Sequence, residues 1–486
     1  MQTIKVASAF AVWVMASTCA QPISEETVSN IPSASLETEI ANTTEIPIMS
    51  SIPDTPVVQN VTEDLCSCYV AVNRICVNTT LPETLAAAVE GDVVSISGNY
   101  AASEPMNISV SLTLQGITCG DKISQITTLF KTDTPLIPES REASSQKYAL
   151  FNIVAASISV TLQDLKLQRG QHDADSYGTA LYSEFGIGLE LKNVEISNMR
   201  AFSHGGSAVY IATAVGSVHF DDQTKIIDNS VADGGCNEDD VLDPYCPAPN
   251  GGPDLHLCPD RCFGGGGAVW IGSCFGAETD VNVSANFHNN YHEFGHGMGG
   301  AVFMDWVQCE VHFVGNYTNN TSSDGGAIHI ESIQEGGSIE FDGHYENNQA
   351  VEGGWGARGA ANRVRDMVDG STLAIRGTYI GNRAAGRGGV MAQNNIDGTV
   401  TMEVVAEGNV ATRGSATSVH GVISEASIYT LAKECVFTDN EVEDDTLTDI
   451  NLYNEHDISE VEFNADYYNK VDYVVRIQTD TPTDTQ

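Results

Sequence analysis

Positive charge is scarce in this chain. Its 486 residues carry 22 Lys and Arg against 65 Asp and Glu, a net charge of −43. A surface of that sign repels phosphate backbones and anionic lipid, which excludes nucleic-acid binding and plain adsorption to membranes. Long apolar runs are scarce as well. Beyond the first twenty residues no segment approaches the roughly eighteen uninterrupted apolar positions of a membrane-spanning helix. The C-terminal "IQTDTPTDTQ" is polar and is no lipid-anchor signal. Enzyme signatures are missing too: there is no Gly-x-Ser-x-Gly, phosphate-binding loop, zinc-protease helix or dinucleotide fingerprint. "GGGGAV" at Gly264 leads into an apolar strand rather than a helix, so it cradles no phosphate.

What is present points to export. Lys5 precedes the apolar run "VASAFAVWVMA", and Thr18 and Ala20 are small residues ahead of a cut before Gln21, so residues 1–20 read as a signal peptide. Residues 21–63 are rich in Ser, Thr, Pro, Glu and Asn without one aromatic, the composition of a disordered spacer. Twelve cysteines are present, and Cys19 would leave with the signal. The remaining odd number suits disulfides in an oxidising compartment, with one thiol left either free or available for an intermolecular bond that would allow a homo-oligomer. Cys236, Cys246, Cys258, Cys262, Cys274 and Cys309 cluster at irregular spacing, which favours a disulfide-stapled loop at 236–263 over zinc. Sequons at Asn42, Asn60, Asn78, Asn107, Asn282 and Asn316 mark glycosylation positions; Asn319 and Asn320 add two that crowd Asn316.

Order is expected from residue 64. The stretch "TLAAAVEGDVVSISGNY" begins in a short amphipathic helix near Glu83–Val89, passes through a Gly-Asp turn and enters a strand. A helix there can plug the open end of a strand stack. This run resembles the N-terminal cap of pectin-lyase-like right-handed β-helices. The expected fold is all-β: a right-handed parallel β-helix over 64–470, with a short capping helix and a polar acidic tail at 471–486.

From Gly205 to Asn440 the chain repeats itself. "GGSAVYIA", "GGAVWIG", "GGAVFMD", "GGAIHIE" and "GGVMAQ" alternate with segments ending in Asn, such as "IIDNSV" and "YIGNRA". Glycine pairs placed at Gly299, Gly325, Gly353, Gly388 and Gly414 repeat every 26 to 35 residues. That period predicts about ten to thirteen stacked rungs, roughly 4.8 Å apart. The "GGA[VI]" and "FxxN" elements are similar to repeats of polymorphic outer-membrane-protein passenger domains, although no C-terminal run of barrel strands follows. Asn229, Asn348, Asn382 and Asn409 are read as a structural ladder, since Asn tolerates left-handed backbone and its amide can bond to a copy above.

Candidate chemistry is thin. "GHG" around His296 resembles the active-site triplet of polygalacturonases, but that family's Asn-Thr-Asp motif is absent and "RIQ" at Arg476 lacks its lysine. "VWIGS" at Val269–Ser273 lacks the Asp and His of the "WIDH" found in pectate lyases. Arginines crowd one window: Arg358, Arg363, Arg365, Arg376, Arg383, Arg387 and Arg413. Arg376, Arg383, Arg387 and Arg413 are the expected glycan-binding set, because guanidinium grips sulfate and carboxylate in pairs. Repeat alignment places Arg387 and Arg413 in a column Asp324–Glu352–Arg387–Arg413. Glu238, Asp239, Asp240 and Asp243 in the Cys236–Cys246 loop offer oxygen ligands that suit calcium, but the EF-hand and RTX patterns are absent, so no cofactor is expected and an exposed acidic loop is the favoured reading. The favoured reading is a secreted, non-catalytic protein of the cell surface or cell wall that adheres to matrix or extracellular polysaccharide. The alternatives are a lyase, hydrolase or epimerase of acidic polysaccharide, and a structural fibre subunit.

Overall fold

The computed structural model describes residues 65–119, 123–128, 149–169, 179–202, 206–232, 264–292, 297–351, 357–421, 427–432, 435–442, 450–454 and 475–479. The expected signal peptide and spacer, the loop at 236–263 and most of the polar tail lie outside these residues. The described part is a right-handed parallel β-helix of about 8 turns.

Its N-terminal end is closed by two devices. Helix α1 (Leu81–Ala87) is started by a capping box: the Glu83 N–H donates to Thr80 Oγ1 at 3.4 Å, and the Thr80 N–H donates to Glu83 Oε2 at 2.9 Å. Leu81 and Leu85 point from it into the core and plug it. The second device is a hairpin that the sequence did not suggest. Strands β1 (Val70–Val72) and β2 (Ile75–Val77) pair antiparallel, and β1 pairs antiparallel with β3 (Asp92–Ser97), covering the first rung's free edge. Disulfides Cys66–Cys119 and Cys68–Cys76 pin it. Strand β4 (Leu112–Ile117) then begins the parallel stack on β3.

The rungs that carry the functional face use β5 (Leu181–Lys192), β6 (Val209–Phe220), β7 (Val269–Val283), β8 (Val302–Phe313), β9 (Ile328–Ile333), β10 (Asn362–Ile380) and β11 (Met391–Glu407), each parallel to the next. Alternation sets the faces. Val209, Val269, Val302, Ile328 and Met391 stand in register and are fully buried inside the coil, while the residue after each faces outward. Rung lengths vary because insertions leave between strands: Ser207 bonds to Gly267, 60 residues on, whereas Asn382 bonds to Asn409, 27 on.

The asparagine ladder is present and longer than expected. Asn229, Asn290, Asn320, Asn348, Asn382, Asn409 and Asn440 stack, each Nδ2 donating to the next Oδ1 at 2.9–3.0 Å. Each Oδ1 also accepts the backbone N–H of the preceding ladder residue, as Asn382 does from Asn348 at 3.0 Å. The left-handed bend belongs to a different residue, the one just before: Asn198, Asp228, Asn289, Asn319, Asn347, Gly381, Gly408 and Asp439 all have positive φ. Beside the ladder, Phe287, Tyr317, Tyr345 and Tyr379 stack inside the core with centroids 4.7–5.0 Å apart.

Two expectations need correction. The corner glycine after Gly325 is Gly359, with φ +65°, and not Gly353. Only the first position of the pair has to be left-handed, so Ala360 fills the second and disguises the motif. The column before the corner consequently runs Met298–Asp324–Arg358–Arg387–Arg413, with Arg358 in the place assigned to Glu352. At the C-terminal end, Val475–Thr479 pairs in parallel with Ile450–Asn454, so a strand stands inside the expected tail.

Candidate functional site

One outward face gathers stacked rings, carboxyls and guanidinium groups. Along it runs a column of stacked rings, Tyr182–Tyr210–Trp270–Phe303–His329, with centroids 4.6, 4.4, 6.1 and 5.5 Å apart. Arg363 continues the column on β10. Two positions further along each strand lies a second column. Asp305 and Glu331 are opposed because Met304 pairs with Ile330 and Trp306 with Ser332, and the same logic sets Arg365 opposite Glu331. Gly272 holds this position on β7, and the Trp270 indole lies over it: a Cβ there would come within 2.5 Å of the ring. Asp305 thus has an indole on one side and a carboxylate on the other.

These neighbours split the two carboxyls. Burial, then the charge of Glu331, push Asp305 up to about 6 in spite of Arg365. Burial would also raise Glu331, but His329 and Arg365 outweigh it and hold that carboxyl at about 2. His329 Nε2 lies 3.1 Å from Glu331 Oε2, and Arg365 Nη1 bonds to Glu331 Oε1. Beneath them Arg363 is 1% exposed, its guanidinium lowered to about 10 by burial. Its Nη1 donates to Val364 O at 3.2 Å, while Arg363 Nε and His329 Nδ1 are buried without a partner. Asp324 accepts the Arg358 N–H at 3.1 Å near the same guanidinium.

The margins of the face differ. One is the arginine column Arg358–Arg387–Arg413. The other is an exposed apolar stripe at the corner following the carboxyl column. Val215 and Phe275 follow the matched pair Ala214 and Cys274; on the next rung Gln308 holds the Phe275 position with Trp306 two residues before it, and Val368 holds that position on β10. Phe275 and Trp306 are each 49% exposed.

The expected site residues disperse. Arg376 lies on another face, where its Nη1 bonds to Glu340. Arg383 opens the short strand that ends at Arg387, in register with Gln349 and Val410. Arg387 and Arg413 do stand in register. His296 is outside the described residues, as are Cys236, Cys246, Cys258, Cys262, Asn42, Asn60 and the acidic loop named for calcium. Cys274 and Cys309 bond to each other and join neighbouring rungs. Cys435 remains a buried thiol that donates to Met402 O at 3.2 Å. Asn78, Asn107 and Asn316 are exposed, Asn282 is half-buried, and Asn320 is enclosed in the ladder. Among the described residues no group of three or more His, Cys, Asp or Glu is placed to hold a metal, and no helix is long and apolar enough to cross a membrane.

Asp305 and Glu331 were absent from the sequence-based candidates, yet the repeats contain them. Aligned on their apolar strands, "GAVWIG", "GAVFMD" and "GAIHIE" end in Gly272, Asp305 and Glu331. The next member, Arg365, falls into line with them once the corner is placed at Gly359. No protein-family model matches the chain, and no curated protein or solved structure matches it either.

Proposed function

We propose that the protein is an extracellular polysaccharide-binding β-helix whose ligand lies along this face. The observation that carries the reading is the stripe Val215, Phe275 and Trp306, exposed on successive rungs. Single exposed apolar side chains are ordinary, but three large ones close together on successive rungs call for something to cover them. Rungs repeat about every 5 Å, which is about the advance per sugar of an extended polysaccharide, so successive pyranose faces can meet successive side chains. Arg358, Arg387 and Arg413 on the opposite margin favour an acidic chain, since guanidinium binds carboxylate and sulfate in pairs. Disulfides among the ordered rungs and exposed sequons support an exported protein. The long rigid face suits adhesion to cell wall or matrix.

Affinity electrophoresis through gels containing pectate, alginate or fucoidan tests this. Wild-type protein should be retarded by at least one of them, and Trp306→Ala should weaken that retardation about 5–10-fold. Val436→Ala, an exposed side chain elsewhere, should not. Equal retardation of all three proteins, or of none, would remove the reading.

A further inference from the structure

We propose that the free edge of β2 is a homodimer surface, on which a second copy of this chain lays its own β2 antiparallel across a two-fold axis, and that a glycan on Asn78 closes it. On one side Ile75–Val77 pairs with Val70–Val72; among the described residues no strand pairs with it on the other. The hairpin thus covers the first rung's edge and leaves an edge of its own.

The register identifies the groups on that edge. Asn73 and Arg74 both have positive φ, 50° and 69°, and form a two-residue turn. The Asn73 N–H donates to Val93 O at 2.9 Å, and Tyr69 O accepts from the Ser97 N–H at 3.1 Å. Positions 69 and 73 therefore bond toward β3. Bonding direction alternates along an antiparallel strand, so Val70 and Val72 bond toward β2. Their partners Val77 and Ile75 use their backbone groups inside the hairpin, and the Cys76 N–H and C=O point to the free edge. Unpaired edge groups of this kind template a further strand.

A second copy supplies what this edge needs. Placed antiparallel with the two Cys76 residues opposite each other, each Cys76 N–H meets the other copy's Cys76 C=O, and both free groups are satisfied in one symmetric exchange. The same register sets Ile75 of each copy against Val77 of the other, as a close cross-strand apolar pair. Ile75 is 68% exposed, the most open large hydrophobic side chain among the described residues. Because the Cys68–Cys76 disulfide already ties β2 to the start of the hairpin, pairing orders little additional chain. A two-fold contact is complete at two copies, so it gives a dimer and not a filament. Asn78 follows β2 directly and opens the sequon Asn78-Thr79-Thr80, with its side chain exposed. In the two-fold register it faces Arg74 of the other copy, and a bulky hydrated glycan there takes the space that the second strand requires.

Sedimentation equilibrium of the full chain between about 5 and 500 µM tests this, because so short a contact should give a Kd on the order of 10–100 µM. Three proteins are made in one glycosylating host: wild type, Asn78→Gln, and Asn78→Gln combined with Ile75→Lys. Glycopeptide mass spectrometry should find Asn78 occupied in the wild type, which stays monomeric. Asn78→Gln should dimerise, and adding Ile75→Lys should weaken that dimer about 10-fold or more, since an edge lysine opposes strand addition. An unchanged melting temperature checks that the lysine leaves the fold intact. Asn78→Gln that remains monomeric throughout overturns the dimer surface, as does a wild type with Asn78 unoccupied that remains monomeric. A dimer indifferent to Ile75→Lys places the contact elsewhere and overturns it too. Growth beyond two copies contradicts the two-fold pairing, and an occupied wild type that dimerises as tightly as Asn78→Gln removes the role of the glycan.

Discussion

Replacing Asn348 by Ala would remove one link of the ladder, and its cost can be worked bond by bond. Asn348 Oδ1 accepts from Asn320 N and Asn320 Nδ2, both at 3.0 Å. Its Nδ2 donates to Tyr317 O at 2.8 Å and to Asn382 Oδ1 at 3.0 Å. The backbone N–H of Asn348 keeps its bond to Asn382, because that bond does not involve the lost side chain. Truncation therefore strands the Asn320 N–H, one Asn320 Nδ2 hydrogen and the Tyr317 carbonyl, all in the interior. Each orphaned group costs about 1–3 kcal/mol, so the substitution should destabilise by about 3–5 kcal/mol once the small void is included. Asn348→Asp should be at least as harmful, because a buried carboxylate oxygen would face Tyr317 O and Asn382 Oδ1 where an amide donated. The control is Asn316→Ala, an exposed asparagine whose Nδ2 reaches Asn286 Oδ1 at the surface; it should cost under about 0.5 kcal/mol. Urea unfolding followed by circular dichroism compares them. A cost for Asn348→Ala within about 1 kcal/mol of the control would refute the bond-by-bond accounting.

Asp305→Asn should raise stability in a pH-dependent way. The folded state holds the Asp305 proton more tightly than the unfolded chain does, so the native residue is harmless below about 3.8 and increasingly destabilising as pH rises through about 6. Melting-temperature gains for Asn should be near zero at pH 4 and level off above pH 7; a gain that shrinks with pH would reverse the sign. Gly272→Ala places a Cβ 2.5 Å from the Trp270 ring and 2.6 Å from Ala212 O, and should cost about 1–3 kcal/mol in urea unfolding. Tolerance of alanine there would mean the indole does not lie over that glycine. When the chain is made in a glycosylating host, glycopeptide mass spectrometry should find Asn320 unmodified, because its amide is bonded at 0% exposure, while Asn316 is open to modification.

The fold was legible because the coil writes one rung's needs repeatedly: a left-handed corner glycine, an alternating apolar strand and a ladder asparagine. Even so, Asn was credited with two jobs that the chain divides between neighbours, Asn347 bending and Asn348 bonding. The hairpin Val70–Val77 was not legible, since its only signals are two short apolar triplets around a turn. The functional face was harder for a physical reason. Its groups are neighbours through stacking, so Asp305, Glu331 and Arg365 lie 26 and 34 residues apart in sequence and meet only when the register is right. One misplaced corner, Gly353 for Gly359, moved Arg365 out of the column and put Glu352 where Arg358 belongs.

Tryptophan emission offers the most direct test of the claim that this face holds the ligand. The chain has four tryptophans, and Trp306 stands on the stripe at 49% exposure. Titration with a polysaccharide that retards the wild-type protein should shift its emission and protect it from acrylamide, and Trp306→Phe should lose most of that response. A response of full size in Trp306→Phe, or none in a wild-type protein that demonstrably binds, would place the ligand elsewhere and contradict the account.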